Sequence, residues 1–272
     1  MSQMKTQKKY TLGIIGLGHM GGAIAKGAVR NDYLERYEIA VYDPSEHARK
    51  DCSIEGFAYL SDVHQLIENS HIILLAVTPQ QVEGVLDEIS TDQMDVVLSI
   101  VTGVSIAHLQ ERLHNTPIIR GMPNTPLQIG AGATALCMSD DCRADDYDFV
   151  FQLFASMGVT RTIPEDKMNE IVTVHGSIPA YVYYFVQCIL DDAIERGIDE
   201  RDARALLVQT FIGSAQLLKK YPERSIERFV DEVCSKGGTT IEAIGELKER
   251  NISAIIHDAN EKCIARAKQL GK

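Results

Sequence analysis

Basic side chains are in deficit: Lys and Arg number 27 against 38 Asp and Glu, a formal net charge of −11. No basic stripe is left over to neutralise phosphates, which excludes a nucleic-acid binder. Long apolar runs are absent as well. Nothing approaches the roughly 18 residues needed to cross a bilayer, so no membrane partner is expected. The opening MSQMKTQKK lacks the apolar centre of a secretion signal, and the expected location is the cytoplasm. Cysteines are few and scattered (Cys52, Cys137, Cys142, Cys188, Cys234, Cys263), with no C-x-x-C pair. Cys137 and Cys142 come closest, but neither their spacing nor a neighbouring His supplies a zinc ligand set. No metal is expected, and the thiols read as reduced.

The chain does have length, 272 residues, which is enough for a large core and suggests two domains. Its most informative stretch is Lys9 to Gly27, KYTLGIIGLGHMGGAIAKG. An apolar strand pattern runs into Gly16, Gly18 and Gly21, spaced G-x-G-x-x-G, and then into an alanine-rich helix. Gly16 permits a tight turn, Gly18 lets the backbone approach a pyrophosphate, and Gly21 lets helix and strand pack closely. With Leu17, His19 and Met20 between them, these residues are the expected cradle of a dinucleotide cofactor. A second strand, Glu38 to Tyr42, ends in Asp43, 22 residues beyond Gly21, where an acid can accept hydrogen bonds from the adenosine ribose.

Strand and helix patterns alternate to about residue 163, which predicts a parallel sheet covered on both faces. His71 to Val77 and Val96 to Val101 are continuous apolar runs suited to central strands. Gln80 to Ile89 reads as a helix, another starts near Ser105, and Pro117 to Arg120 is a short strand. The loop Gly121 to Pro126, GMPNTP, holds two prolines that enforce a rigid non-helical path at a strand's carboxyl end, the ligand side of such a sheet.

After Pro164 only helical patterns follow. Helices are predicted from Pro179 to Arg196, from an Asp199 cap through Lys219, from Ser225, and from a Ser253 cap to about Leu270. The first is apolar nearly all round (Val182, Tyr183, Phe185, Val186, Ile189, Leu190, Ile194). Such a helix must be buried on all sides, most economically by a second copy of the chain. Gly237, Gly238 and Thr239 precede the helical run Thr240 to Glu249, so their N–H groups and the positive helix end can receive a small carboxylate. A plain N-cap by Thr239 is the alternative.

The order of G-x-G-x-M-G (Gly16 to Gly21), AVTPQ (Ala76 to Gln80), RGMPNTP (Arg120 to Pro126), GSIPAY (Gly176 to Tyr181) and SKGGTTIEA (Ser235 to Ala243) resembles pyrroline-5-carboxylate reductase along essentially the whole chain. The resemblance implies an α/β fold: an N-terminal doubly wound Rossmann domain (1–165) followed by an all-helical dimerisation and substrate domain (166–272). It implies a homodimer with active sites completed between subunits, and NADPH or NADH as cofactor. Thr240 matches the residue whose hydroxyl faces the imine nitrogen. Ser235, Gly237, Gly238, Thr239 and His175 are implied at the substrate. Ala76, Val77 and Pro79 should border the dinucleotide, and Asn124 and Thr125 its nicotinamide end.

The chemistry needs a hydride donor, a carboxylate clamp and a group near the imine nitrogen, all of which positioning can supply. Departures from the family pattern fall at Thr78, His175, Ile178 and Lys236. A reductase of another cyclic imine, or an inactive dinucleotide-binding regulator, stays open on that account. Asp43 should repel a 2′-phosphate and favour NADH, while Ser45, His47 and Arg49 could partly offset its charge.

Overall fold

The structure, a computed structural model, describes residues 8–114 and 116–271. Most of the N-terminal stretch read against a secretion signal, residues 1–7, lies outside the described residues. Strands and helices alternate in the order β1 (Tyr10–Ile15), α1 (His19–Arg30), β2 (Ile39–Tyr42), α2 (Glu46–Glu55), β3 (Ala58–Tyr59), α3 (Val63–Asn69), β4 (Ser70–Leu75), α4 (Val82–Ile89), β5 (Val96–Ser99), α5 (Ile106–Arg112), β6 (Ile118–Met122), β7 (Gly132–Met138), α6 (Ala144–Ala155) and β8 (Gly158–Thr162). Five helices follow: α7 (Ile178–Glu195), α8 (Glu200–Lys220), α9 (Ile226–Val233), α10 (Thr239–Glu249) and α11 (Ile252–Leu270).

The strands form one sheet in the order β3-β2-β1-β4-β5-β6-β7-β8. Strand order reverses between β1 and β4, and the crevice above that switch point is where ligands bind in doubly wound sheets. The expected all-parallel sheet needs one correction, because β7 runs antiparallel to β6, with Arg120 opposite Cys137. The link from Met122 to Gly132 carries only a short 3-10 turn, Thr125–Ile129, and a parallel return needs a longer crossover. From β7 to β8 the helix α6 supplies one, and those two strands are parallel.

Successive residues of β4 serve opposite faces, as the period of a strand requires. Ile73 and Leu75 join one core with Leu66 of α3, Leu86 of α4 and Leu109 of α5. Ile72 and Leu74 join the other with Ile24 of α1 and Leu153 and Phe154 of α6. Burial on both faces explains why HIILLAV shows no polar alternation.

The chain divides into two compact units, one reaching to Pro179 and taking back the chain from Cys263, the other Ala180–Lys262. The first unit thus includes the end of α11, where Ala267 is buried and Lys268 Nζ meets Glu170 Oε1 at 2.9 Å. The change of pattern after Pro164 marks where strands stop, whereas the compact unit also holds short 3-10 turns at Glu165–Lys167 and Ile171–Thr173.

In the helical unit Asp199 caps α8 by accepting from the amides of Arg201 and Asp202, and Ser225 caps α9 through Arg228. The last helix starts differently from expectation. Ser253 lies inside α11, and its hydroxyl donates to Asn251 Oδ1 at 2.8 Å. No residue of α8, α9 or α10 is buried, and Tyr184, Leu206 and Ile226 are each 70% exposed. Among the described residues no helix is long and apolar enough to cross a membrane.

Candidate active site

The glycine turn has the geometry its spacing predicts. Gly16 sits at φ +97°, a conformation that side chains disfavour, and its N–H donates to Tyr42 O at 2.9 Å. A Cβ on Gly21 would lie 2.2 Å from Gly16 O and 3.1 Å from Ala76 Cβ, so helix and turn touch only because none is there. Gly18 is the opposite case, since a Cβ there would meet nothing within 4 Å. That space is open above the start of α1, whose N-cap is Gly18, with no side-chain cap and no acid in the first turn. Free amides at a positive helix end facing open space suit a pyrophosphate.

Asp43 is held from two sides. Its Oδ2 accepts the Leu17 N–H at 2.8 Å and its Oδ1 the Ser45 N–H at 2.9 Å. Each oxygen keeps a lone pair for a further donor. The residues expected to offset its charge turn elsewhere: Ser45 Oγ caps α2 by accepting from Ala48 N, His47 pairs with Asp51, and Arg49 lies over the Tyr59 ring. The Tyr59 hydroxyl in turn donates to the Asp43 carbonyl at 3.0 Å. Leu17, Gly18, His19 and His47 share a cavity of about 470 Å³ that continues along α1 to Lys26 and Arg30.

Ala76 continues β4 beyond its last strand residue, its N–H donating to Ile15 O at 2.9 Å, and with half-buried Val77 it lies beside the glycine turn, while Pro79 is half-buried further on. Thr78 is exposed and donates its hydroxyl to Gln81 Oε1. In the proline loop Asn124 is buried, Oδ1 accepting from Ala133 N at 2.8 Å and Nδ2 donating to His175 O at 3.1 Å. Thr125 is exposed at the start of the 3-10 turn. The His175 ring places Nε2 2.7 Å from Met122 O and Nδ1 3.1 Å from Ile171 O, so both nitrogens face main-chain carbonyls.

A cavity of about 360 Å³ opens at this end of the sheet, lined among others by Thr102, Met122, Ser177, Cys263 and Arg266. Cys263 and Arg266 are lining residues that sequence reasoning missed. They come from the returning end of α11, and no local motif announces that return. Burial pushes the thiols of Cys52, Cys137 and Cys142 up to about 11, which keeps them protonated and unreactive.

The second group of expected site residues lies in the helical unit. Gly237 has φ +74°, and the Gly238 N–H donates to Ser235 O at 2.9 Å. Helix α10 begins one residue earlier than its pattern suggested, and its N-cap is Gly238, not Thr239. With no side chain capping this end either, its first amides are free for a carboxylate. A Cβ on Gly238 would lie 2.6 Å from Ser235 Oγ. Thr239 and Lys236 are exposed. Thr240 is half-buried and borders an apolar cavity of about 340 Å³ with Leu217, Phe229 and Ile244.

Two family models match. Residues 165–270 fit pyrroline-5-carboxylate reductase dimerisation, and residues 11–103 fit NADP oxidoreductase, coenzyme F420-dependent. The pyrroline-5-carboxylate reductase of Escherichia coli K12 is 33% identical over 265 residues, covering 96% of this chain and 98% of that protein. The chain belongs to the pyrroline-5-carboxylate reductase family. Among solved structures of that family, the Plasmodium falciparum enzyme with NADP bound superposes with a TM-score of 0.88 at 27% identity, covering 98% of this chain and all of the other. The Streptococcus pyogenes enzyme gives the same TM-score at 29% identity over 95% and 98% of the two chains.

Proposed function

We propose that this protein reduces 1-pyrroline-5-carboxylate to L-proline, the closing step of proline synthesis, with NADH or NADPH as reductant. The observation that carries the reading is a pair of helix starts, at Gly18 and Gly238, each on glycine and each without a side-chain cap. One suits a pyrophosphate and the other a small carboxylate, the anionic groups of the cofactor and of the substrate. Bound nicotinamide supplies the hydride. In this proposal Gly16, Leu17, Gly18, His19, Met20 and Gly21 hold the pyrophosphate, and Ala76, Val77 and Pro79 border the dinucleotide. Asn124 and Thr125 shape its nicotinamide end.

Amides of Gly237, Gly238 and Thr239 beside Ser235 hold the substrate carboxylate, and the Thr240 hydroxyl orients the ring nitrogen as it becomes an amine. Each acts by placing atoms before reaction, which needs no strong acid or nucleophile. Asp43 takes the ribose hydroxyls and places NADH ahead of NADPH, since its remaining lone pairs accept hydroxyls and its charge opposes a phosphate.

The proposed assembly is a homodimer through the helical region 166–272, with 1–165 as the nucleotide domain, and the proposed location is the cytoplasm. Apolar side chains left exposed on α7, α8 and α9 support self-association. The deciding experiment follows the loss of reduced-nicotinamide absorbance with pyrroline-5-carboxylate and with larger cyclic imines, while mass spectrometry identifies the product. Efficient turnover of the five-membered imine to proline is expected. Turnover of a larger ring alone, or nucleotide binding with no imine reduced, sinks the reading.

A further inference from the structure

We infer that His175 is a positioning residue, whose ring ties the Met122–Pro126 loop to the segment before α7 and so sets the floor for the nicotinamide end of the cofactor; this rests on the activity proposed above. The two segments are joined in both directions. His175 Nε2 donates to Met122 O at 2.7 Å, and Asn124 Nδ2 donates back to His175 O at 3.1 Å. On the far side Asn124 Oδ1 accepts from Ala133 N at 2.8 Å, so the loop is also pinned to β7.

The second ring contact, Nδ1 to Ile171 O at 3.1 Å, lies within the ring's own segment and fixes its rotation. Both ring nitrogens thereby face main-chain carbonyls.

Position gives this bridge its importance. A dinucleotide whose adenosine lies at the end of β2 and whose pyrophosphate lies over α1 must extend across the switch point toward β4, β5 and β6. The loop after β6 is therefore where its reactive ring arrives. Pro123 and Pro126 stiffen the loop internally but do not attach it to anything. Met122 is already paired with Ala135 of β7, so what His175 and Asn124 add is the attachment of this loop to the segment before α7. Since hydride transfer is sensitive to sub-ångström placement, loosening this bridge should lower turnover more than affinity.

The test compares H175Q with H175M, side chains of equal length of which only Gln carries an N–H. For H175M, kcat for imine reduction should fall about tenfold with KM for the nucleotide within about twofold, while H175Q stays within about threefold of wild type. Without any nucleotide, amide hydrogen exchange in peptides covering 118–130 should quicken in H175M and not in H175Q. Equal exchange and equal kcat in the two variants overturn the inference. So does an H175M protein that fails to fold while H175Q folds, because the bond would then be a requirement of the fold. A wild type that reduces no imine sinks the proposed activity, and the exchange comparison still decides the bridge.

Discussion

Asp43 Oδ2 accepts the main-chain N–H of Leu17 at 2.8 Å, which joins the end of β2 to the glycine turn after β1. The same carboxylate holds Ser45 N at 2.9 Å. An acid at this position therefore shapes the loop, in addition to the ribose contact proposed for it. For D43N we predict that one of the two amides faces an NH₂ group and loses its acceptor, at a cost of about 1–3 kcal/mol. Calorimetric titration should show NADH binding weakened about tenfold and the NADPH-to-NADH preference moved toward NADPH. Unchanged NADH affinity would remove Asp43 from the site.

The glycines at 18 and 21 separate binding from folding. A methyl group at Gly18 enters open space at an ordinary φ of −69°, whereas one at Gly21 collides with Gly16 O. G18A should melt within about 1 °C of wild type yet bind dinucleotide at least about tenfold more weakly, because the methyl occupies the approach to the amides. G21A should lose several degrees of melting temperature, as overpacking against backbone typically costs about 1–3 kcal/mol. Equal melting losses in the two variants would contradict this division.

At Thr240 the outcome concerns rate. T240A removes a hydroxyl from the second residue of α10 without touching the free amides at Gly238. Turnover should drop about a hundredfold, with the nucleotide dissociation constant changed less than about twofold. Stopped-flow and fluorescence titration on one preparation give both numbers, and unaltered turnover would refute the assignment.

Leu206, 70% exposed on α8, belongs to a helical unit that buries almost none of its apolar side chains by itself. If a second copy covers that face, L206D should shift sedimentation toward the monomer and lower a melting temperature that becomes concentration-dependent. A wild-type monomer at micromolar concentration would contradict the assembly.

A pH effect is expected where α4 meets α5. A hydrogen bond from His108 Nε2, 2.7 Å away, holds the Glu83 carboxyl below its ordinary value of 4.5, with Arg112 contributing further. Because the folded value is the lower one, the stabilisation is complete above 4.5 and fades as pH falls through the folded value. Half the side chain is exposed, so the effect should be small. The melting-temperature gap between wild type and E83Q should be steady near neutrality and close at acid pH. A gap that widens on acidification would reverse the sign.

Several elements could be read before any coordinates, and for local reasons. HIILLAV, the glycine spacing, and the caps at Ser105, Asp199 and Ser225 each involve residues within a few positions of one another. The two-residue strand β3 was not legible, because Ala58 and Tyr59 form a strand only by pairing with Ala40 and Val41. Nor was the direction of β7, which follows from the shortness of its link and the edge left open beside β6. At the candidate site, the tight turn at Gly16 and the close approach at Gly21 were legible from the glycine spacing. The backbone attachments of Asn124 and His175 were not, since their partners lie 9 and 51–53 residues away.

By itself the sequence determined that the chain alternates strand and helix, carries a turn shaped for a pyrophosphate and ends in helices too apolar to stand alone. Those properties follow from backbone sterics and the periodicity of apolar residues, which act over a few positions. Only the tertiary structure decided that Asp43 braces the turn it faces, that β7 reverses, that α11 returns to the sheet domain, and that His175 Nε2 meets the Met122 carbonyl. These are contacts between residues distant in the chain, and packing selects them after the local pattern is satisfied.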